Sequence, residues 1–159
     1  MVQNSLESNV PDEQSSELAI ACAKKMGSAD SFSHSLGIQL SHIDVGKSIM
    51  TLQVTANMVN GYNTCHGGVI FSFADTAFAY ACNSQNQLAV AASCNIDFVR
   101  PAMIGDTLTA TSTMQYQGHR TGVYQTIIIN QDDKLIAIFK GNSARLGKTV
   151  LNFPSKDSL

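Results

Sequence analysis

Between Lys47 and Asp97 the chain carries a single charged side chain, Asp75, although 14% of the whole sequence is Asp, Glu, Lys or Arg. Protein interiors shed charge, so a long run with almost none is expected to lie inside the fold. A carboxylate kept in such a run loses hydration and finds no cation in its own segment, which disfavours it unless it is used. The chemistry open to it is general-base abstraction of a proton from water, or direct nucleophilic attack. The structural alternative is a carboxylate satisfied by an arginine, or by a hydroxyl such as Ser72 one turn earlier.

Upstream of Asp75 runs Asn60-Gly61-Tyr62-Asn63-Thr64-Cys65-His66-Gly67-Gly68. Two adjacent glycines at the start of a helix admit a close-approaching ligand and leave the first backbone N–H groups uncovered. A helix N-terminus favours partial negative charge, so this entrance suits the oxyanion of an acyl carbonyl under attack. His66 or Asn60 would add a side-chain donor there. The bland reading of Gly67-Gly68 is tight helix–sheet packing. Cys65 beside His66 invites a cysteine-nucleophile reading, but chain neighbours rarely reach thiol–base geometry, and Cys65 ranks well below Asp75.

Gly68 and Asp75 are seven residues apart, which on one helix separates their backbones by about 10 Å. They cannot both flank one carbonyl carbon. If both act on the same atom, Asp75 must meet the helix start of a second copy, so the spacing implies a site shared across a two-fold homodimer.

The elements that position these groups are legible from periodicity. GGVIFSFADTAFAYACNSQ, Gly67 to Gln85, is apolar on every face and too long for one strand, which predicts a buried helix. A short helix is expected from Ser15/Ser16 and Glu17 to Gly27. SLGIQLSHID and KSIMTLQVT flank Val45-Gly46 as a strand pair, with Met50, Leu52 and Val54 alternating against Ile49, Thr51 and Gln53. LAVAASCNIDFV, DTLTATSTMQYQ, TGVYQTIIINQ and KLIAIFKGNSARL follow as β-rich stretches of Thr, Val, Ile, Phe and Tyr. One long buried helix among about six mostly antiparallel strands means an α+β fold in which a sheet wraps a helix. The expected layout is a polar disordered tail over 1–14, one domain over 15–147, and a C-terminal tail over 148–159.

Composition removes several function classes. Hydrophobic residues make up 44% of the 159 and the formal net charge is −2. That is far from a disordered composition, no stretch approaches the roughly 18 apolar residues of a membrane span, and no basic run marks a nucleic-acid surface. The first residues, polar and acidic, do not read as a secretory signal, which predicts a cytoplasmic protein. Cys22, Cys65, Cys82 and Cys94 form no C-x-x-C pair, and His34, His42, His66 and His119 have no metal-ligand spacing, so neither disulfides nor a metal site is expected.

The stretch NGYNTCHGGVIFSFADTAFAYACNSQ, with NIDFVRPAMIGDTLTA and QGHRTGVYQ, resembles the hotdog-fold acyl-CoA thioesterases of the phenylacetic acid degradation type. The likeness runs from about residue 17 to 147, and H-G-G-x-x-F-x-x-A-D in a helical context is far more specific than a glycine pair. The resemblance implies a curved antiparallel sheet around one long helix, sheets joined edge to edge in a dimer, and dimers paired into a homotetramer.

It also implies roles. The family's catalytic carboxylate falls on Asp75, its carbonyl-polarising N–H on Gly67 or Gly68, and its accompanying His and Asn on His66 and Asn60. A hydroxyl from the strand after the helix falls near Ser93, with a register uncertain by a residue or two, and Thr76 is a second hydroxyl on another helix face. The implied reaction is hydrolysis of an acyl-CoA thioester with Asp75 as base or nucleophile. No cofactor is implied, because coenzyme A is part of the substrate. After residue 119 the chain carries Arg120, Lys134, Lys140, Arg145, Lys148 and Lys156 against Asp132, Asp133 and Asp157. Arg100, Arg120 and Arg145 are the candidates for phosphate contacts, since guanidinium binds phosphate bidentately. Phe71, with Phe78, Tyr80 and Tyr62, would form an aromatic slot for an arylacetyl group, against the alternative that these rings are core.

Two other classes fit the fold. A hydratase or dehydratase would need His66 as its base, and a non-catalytic acyl-CoA-binding module would bind without turnover.

Overall fold

The computed structural model describes residues 13–154; positions 1–12, most of the expected N-terminal tail, and 155–159, with Lys156 and Asp157, lie outside them. Helix α1 spans Glu13–Gly27 and α2 Ser31–Leu36, followed by strands β1 (Gln39–Asp44) and β2 (Lys47–Gln53). Helix α3 covers Gly67–Asn83, and β3 (Ala89–Phe98), β4 (Thr107–Gln117), β5 (Thr121–Ile129) and β6 (Leu135–Arg145) follow among the described residues. All six strands form one antiparallel sheet in the order β1-β2-β4-β5-β6-β3.

The expected α+β arrangement, the hotdog fold of a sheet around a helix, is present. The inner face of the sheet supplies Met50, Leu52, Leu108, Ala110, Tyr124, Ile128 and Phe139, each at most 2% exposed, and α3 supplies Phe73, Ala74, Ala77, Phe78 and Ala81. Gly141 on β6 makes room for Phe78, because a Cβ there would lie 2.9 Å from three of its ring carbons. Irregularities in register at Leu40/His42, Ala91/Ser93 and Met114/Tyr116 add local twist, which helps the sheet curl over the helix.

Two elements differ from the sequence reading. Helix α1 begins at Glu13, two residues before the expected start. The run SLGIQLSHID is strand only from Gln39, because its first residues close the short helix α2. Asp30 caps that helix by accepting hydrogen bonds from Ser33 N at 3.0 Å and Ser33 Oγ at 2.6 Å, a local device that outcompetes the apolar alternation. The described part of the C-terminal segment folds back on the chain: Lys148 O accepts from Leu88 N, Asn86 Oδ1 accepts from Leu151 N, and Val150 is buried.

The sheet does not enclose α3 completely. Gly68, Phe71, Ser72, Asp75 and Ala79, spaced three or four residues apart, form one stripe of the helix that is less than fully buried. On the same side the sheet ends at β3, which pairs with β6 and has no strand on its other edge among the described residues. Val90 to Ser93 and Phe98 of that strand are exposed.

Candidate active site

Asp75 sits midway along the uncovered stripe of α3, half-buried. Burial pushes its carboxyl above the ordinary carboxylate range, and a hydrogen bond from the Cys94 thiol pulls the other way. That thiol, on β3, donates to Asp75 Oδ1 at 3.9 Å and is the polar partner of the carboxylate among the described residues. The hydroxyls nearby are committed elsewhere: Ser72 Oγ donates to Gly68 O, and Thr76 Oγ1 donates to Ser72 O. The structural alternative, an arginine or the Ser72 hydroxyl satisfying Asp75, is therefore absent from the described residues. A poorly hydrated, weakly partnered carboxylate is the more basic and more nucleophilic for it.

The helix entrance is clamped by backbone bonds before α3 begins. Cys65 N donates to Ala102 O and His66 N to Met58 O, both at 2.8 Å. Asn60 organises the loop: its Oδ1 accepts from Tyr62 N and Thr64 N, and its Nδ2 donates to Thr64 Oγ1. Its amide thus holds the entrance in shape. His66 is the N-cap of α3, its Nδ1 accepting from Gly68 N at 2.9 Å. The Gly68 N–H is thereby occupied, while Gly67 N–H has no acceptor among the described residues. In the neutral imidazole an accepting Nδ1 puts the proton on Nε2, so His66 presents a second donor at the same helix end. Gly67 N–H and His66 Nε2–H are the two groups here that can polarise a carbonyl, and Gly67 faces a groove of about 260 Å³ bordered by Ile70, Phe98 and Arg100.

Gly67 and Asp75 lie on one continuous helix, eight residues and so about 12 Å apart. Within one chain they do not converge.

The remaining sequence candidates separate. Ser93 sits on the outer face of β3, exposed, where its Oγ accepts from Asn142 Nδ2 at 2.7 Å. The strand residue turned towards Asp75 is its neighbour Cys94; the irregular register at Ala91/Ser93 sets which side chain points inward. Thr76 faces α2, with its Oγ1 3.4 Å from Ser33 Oγ. Phe71 lies one turn before Asp75, half-buried, its ring edge-on to Phe139 with centroids 5.5 Å apart. Phe78 and Tyr80 are core residues at 1% and 7% exposure, whereas Tyr62 is 89% exposed. Arg100 is exposed and donates to Leu135 O, and Arg120 and Arg145 share a different groove.

Cys65 is 5% exposed, and desolvation followed by the charge of Asp106 pushes its thiol up to about 11, the opposite of an activated nucleophile. All four cysteines are free. No cluster of metal-ligating side chains occurs among the described residues, and none of their helices is long and apolar enough to cross a membrane. Cys94 is the residue at the site that sequence reasoning missed, and its only signal was the apolar alternation of β3.

A profile of the thioesterase superfamily matches residues 62–137. The chain is 52% identical to the acyl-coenzyme A thioesterase PaaI of Escherichia coli over 128 residues, 80% of this chain and 91% of that protein. The solved structure of the E. coli PaaI protein, from the phenylacetic acid degradation operon, superposes with a TM-score of 0.83 at 51% identity, covering 84% of this chain and 97% of that one. A Streptococcus mutans UA159 protein solved bound to acetyl CoA matches with a TM-score of 0.69 at 25% identity, over 70% of this chain and 90% of the other.

Proposed function

The chain belongs to the thioesterase superfamily, and from that membership we propose that it hydrolyses acyl-CoA thioesters, with phenylacetyl-CoA and its ring-hydroxylated forms as the preferred class. The observation that carries the chemistry is a half-buried carboxylate, Asp75, on an uncovered stripe of α3 whose own N-terminus offers a free Gly67 N–H. Because the two lie about 12 Å apart on one helix, the working site joins Asp75 of one copy to Gly67 of a second. Two copies meet along the open β3 edge, where Val90, Phe98 and Val99 are 45–54% exposed, and such dimers pair into a homotetramer.

Asp75 takes a proton from water as the oxygen attacks the thioester carbonyl. The developing oxyanion is held by Gly67 N–H and His66 Nε2–H of the second copy, with Asn60 keeping that entrance in shape. Collapse breaks the carbon–sulfur bond, the CoA thiolate leaves and is protonated, and the free acid remains. In the alternative route the Asp75 oxygen attacks first, expelling the thiolate and forming an anhydride that water then opens. Phe71, half-buried beside Asp75, borders the aryl group. No cofactor is needed beyond the CoA of the substrate. The hydratase reading requires His66 as a base, and its Nδ1 is engaged by Gly68 N–H, which counts against it.

The deciding experiment compares free-thiol release by wild type and Asp75→Asn on phenylacetyl-, hydroxyphenylacetyl-, benzoyl-, crotonyl- and medium-chain acyl-CoAs. Wild type should favour the arylacetyl substrates, and the variant, folded and still oligomeric, should lose about 10²–10⁴-fold in kcat. Full activity in the variant, or hydration of crotonyl-CoA without thiol release by wild type, would overturn the reading.

A further inference from the structure

A cavity of about 400 Å³ opens between α1, α2 and β1. Helix α3 contributes Tyr80 to its lining, five residues after Asp75 and so about 140° further round the helix at 3.6 residues per turn. The cavity therefore lies on a different side of α3 from the uncovered stripe. Ala23 and Ile38, both buried, give it apolar walls, and Ile20 and Leu40, 42% and 40% exposed, border it. A concave, mostly apolar space of this size with a few polar groups turned into it suits a small molecule.

The polar groups define the chemistry of that molecule. Tyr80 is 7% exposed, yet its hydroxyl has no hydrogen-bond partner among the described residues, whereas a buried phenol ordinarily finds one. Burial, and after it the negative charge of Asp30, pushes the hydroxyl up to about 12, so it stays protonated and able to donate. Asp30 itself is spent on Ser33, accepting from its N–H and its hydroxyl. Gly27 keeps space beside the Tyr80 oxygen: a Cβ there would lie 3.3 Å from it, and the backbone does not demand glycine at this point, since its φ is not positive. Lys24, one turn earlier on α1, also lines the cavity, as does the imidazole of His34, and no carboxylate does. Lys24 makes no ion pair among the described residues, whose one salt bridge joins Lys134 to Asp132. A buried donor without an acceptor, an uncompensated ammonium and apolar walls match a single carboxylate carried on a small apolar body.

We propose that the cavity between α1, α2 and β1 is a second ligand site, separate from the Asp75 stripe, that binds a small amphipathic carboxylic acid with its carboxylate on the Tyr80 hydroxyl and Lys24 and its apolar body against Ala23 and Ile38. The assignment rests on the groups of the cavity and not on the hydrolase reading. Arylacetic acids, the products that reading gives, belong to the same chemical class, so the free acid would have a place on the protein where it does not compete with a thioester.

The test is calorimetric binding of phenylacetate, octanoate and the uncharged phenylacetamide, with Asp75→Asn protein saturated by phenylacetyl-CoA so that the catalytic site is filled without turnover. Phenylacetate or octanoate should still bind at about one per chain, and phenylacetamide about tenfold more weakly than phenylacetate, because it brings no charge to the two donors. Adding Tyr80→Phe should weaken the acid about tenfold, Lys24→Gln about threefold at its exposed position, and Gly27→Ala should weaken it by crowding the hydroxyl. Displacement of the acid by the acyl-CoA, equal affinity for acid and amide, no saturable binding of either acid, or affinity untouched by both the Tyr80 and Lys24 substitutions would each overturn the assignment. So would a fall in kcat in both Tyr80→Phe and Lys24→Gln made in the otherwise wild-type chain, since that would put these residues in the catalytic site. Lys24 is on the surface, so its variant gives the answer if Tyr80→Phe proves unstable. Acid binding that depends on Tyr80 and Lys24 in a wild type that hydrolyses nothing would uphold the cavity and refute the hydrolase reading; hydrolysis by a chain whose cavity ignores the acids would do the reverse.

Discussion

The Cys94 thiol donates to Asp75 Oδ1 at 3.9 Å, joining the edge strand β3 to the middle of α3 at the one carboxylate of the buried helix. The contact occupies one oxygen and leaves Oδ2 for water or an acyl carbon. It also tempers the upward shift that burial imposes on the carboxyl. In turn burial, and after it the negative charge of Asp75, pushes the Cys94 thiol up, so it stays protonated and able to donate.

A pH profile reads this contact directly. Asp75 acts ionised, so activity falls as pH drops through its pKa. Cys94→Ala removes a donor to the ionised form and should move the acid limb of kcat/KM to higher pH, whereas Cys94→Ser, a stronger donor, should move it lower. Coincident acid limbs for all three proteins would show that the thiol does not act on Asp75.

Asp75 should cost the fold stability. A carboxyl whose folded pKa lies above its unfolded value is penalised once ionised, so its unfavourable contribution is absent below the unfolded pKa and complete above the folded one. Asp75→Asn removes the charge and keeps the shape, and its melting temperature at neutral pH should exceed that of wild type, with the gap closing as pH falls towards the unfolded carboxylate value. A lower melting temperature at neutral pH would contradict the burial argument.

His66 has two separable duties, capping α3 through Nδ1 and presenting Nε2–H. Asn is a strong N-cap residue, so His66→Asn should retain stability within about 0.5 kcal/mol while losing the ring donor, and His66→Ala should cost about 1 kcal/mol. Both should lower kcat by about 10²- to 10³-fold if the ring polarises the carbonyl. Chemical denaturation alongside steady-state kinetics separates the duties; full activity in His66→Asn would confine His66 to the cap.

A shared site can be rebuilt from two dead proteins. Asp75→Asn and Gly67→Val are each expected to be inactive, yet a mixed dimer has one composite site with Asp75 from one copy and Gly67 from the other. Co-refolded at equal amounts, the pair should regain roughly a quarter of wild-type activity, since half the dimers are mixed and each has one intact site. No recovery in demonstrably mixed dimers would place the whole site within one chain.

The extent of α3, the strand-rich remainder and the singular position of Asp75 were legible in the sequence, because apolar periodicity and the absence of charge are local properties. The rise per residue of a helix sufficed to separate Gly68 from Asp75. Short α2 was not legible: Asp30 caps it through its own side chain, and the apolar run that follows reads equally well as strand. Tertiary structure alone decided that Cys94 rather than Ser93 faces Asp75, since a slip in strand register reverses which side chains point inward. It alone decided that the His66 ring occupies the Gly68 N–H and leaves Gly67 free, a matter of where one ring turns. It alone brought Arg120 and Arg145 together in one groove and left Arg100 at the other end of the sheet, because strand pairing and not chain order determines which charges become neighbours.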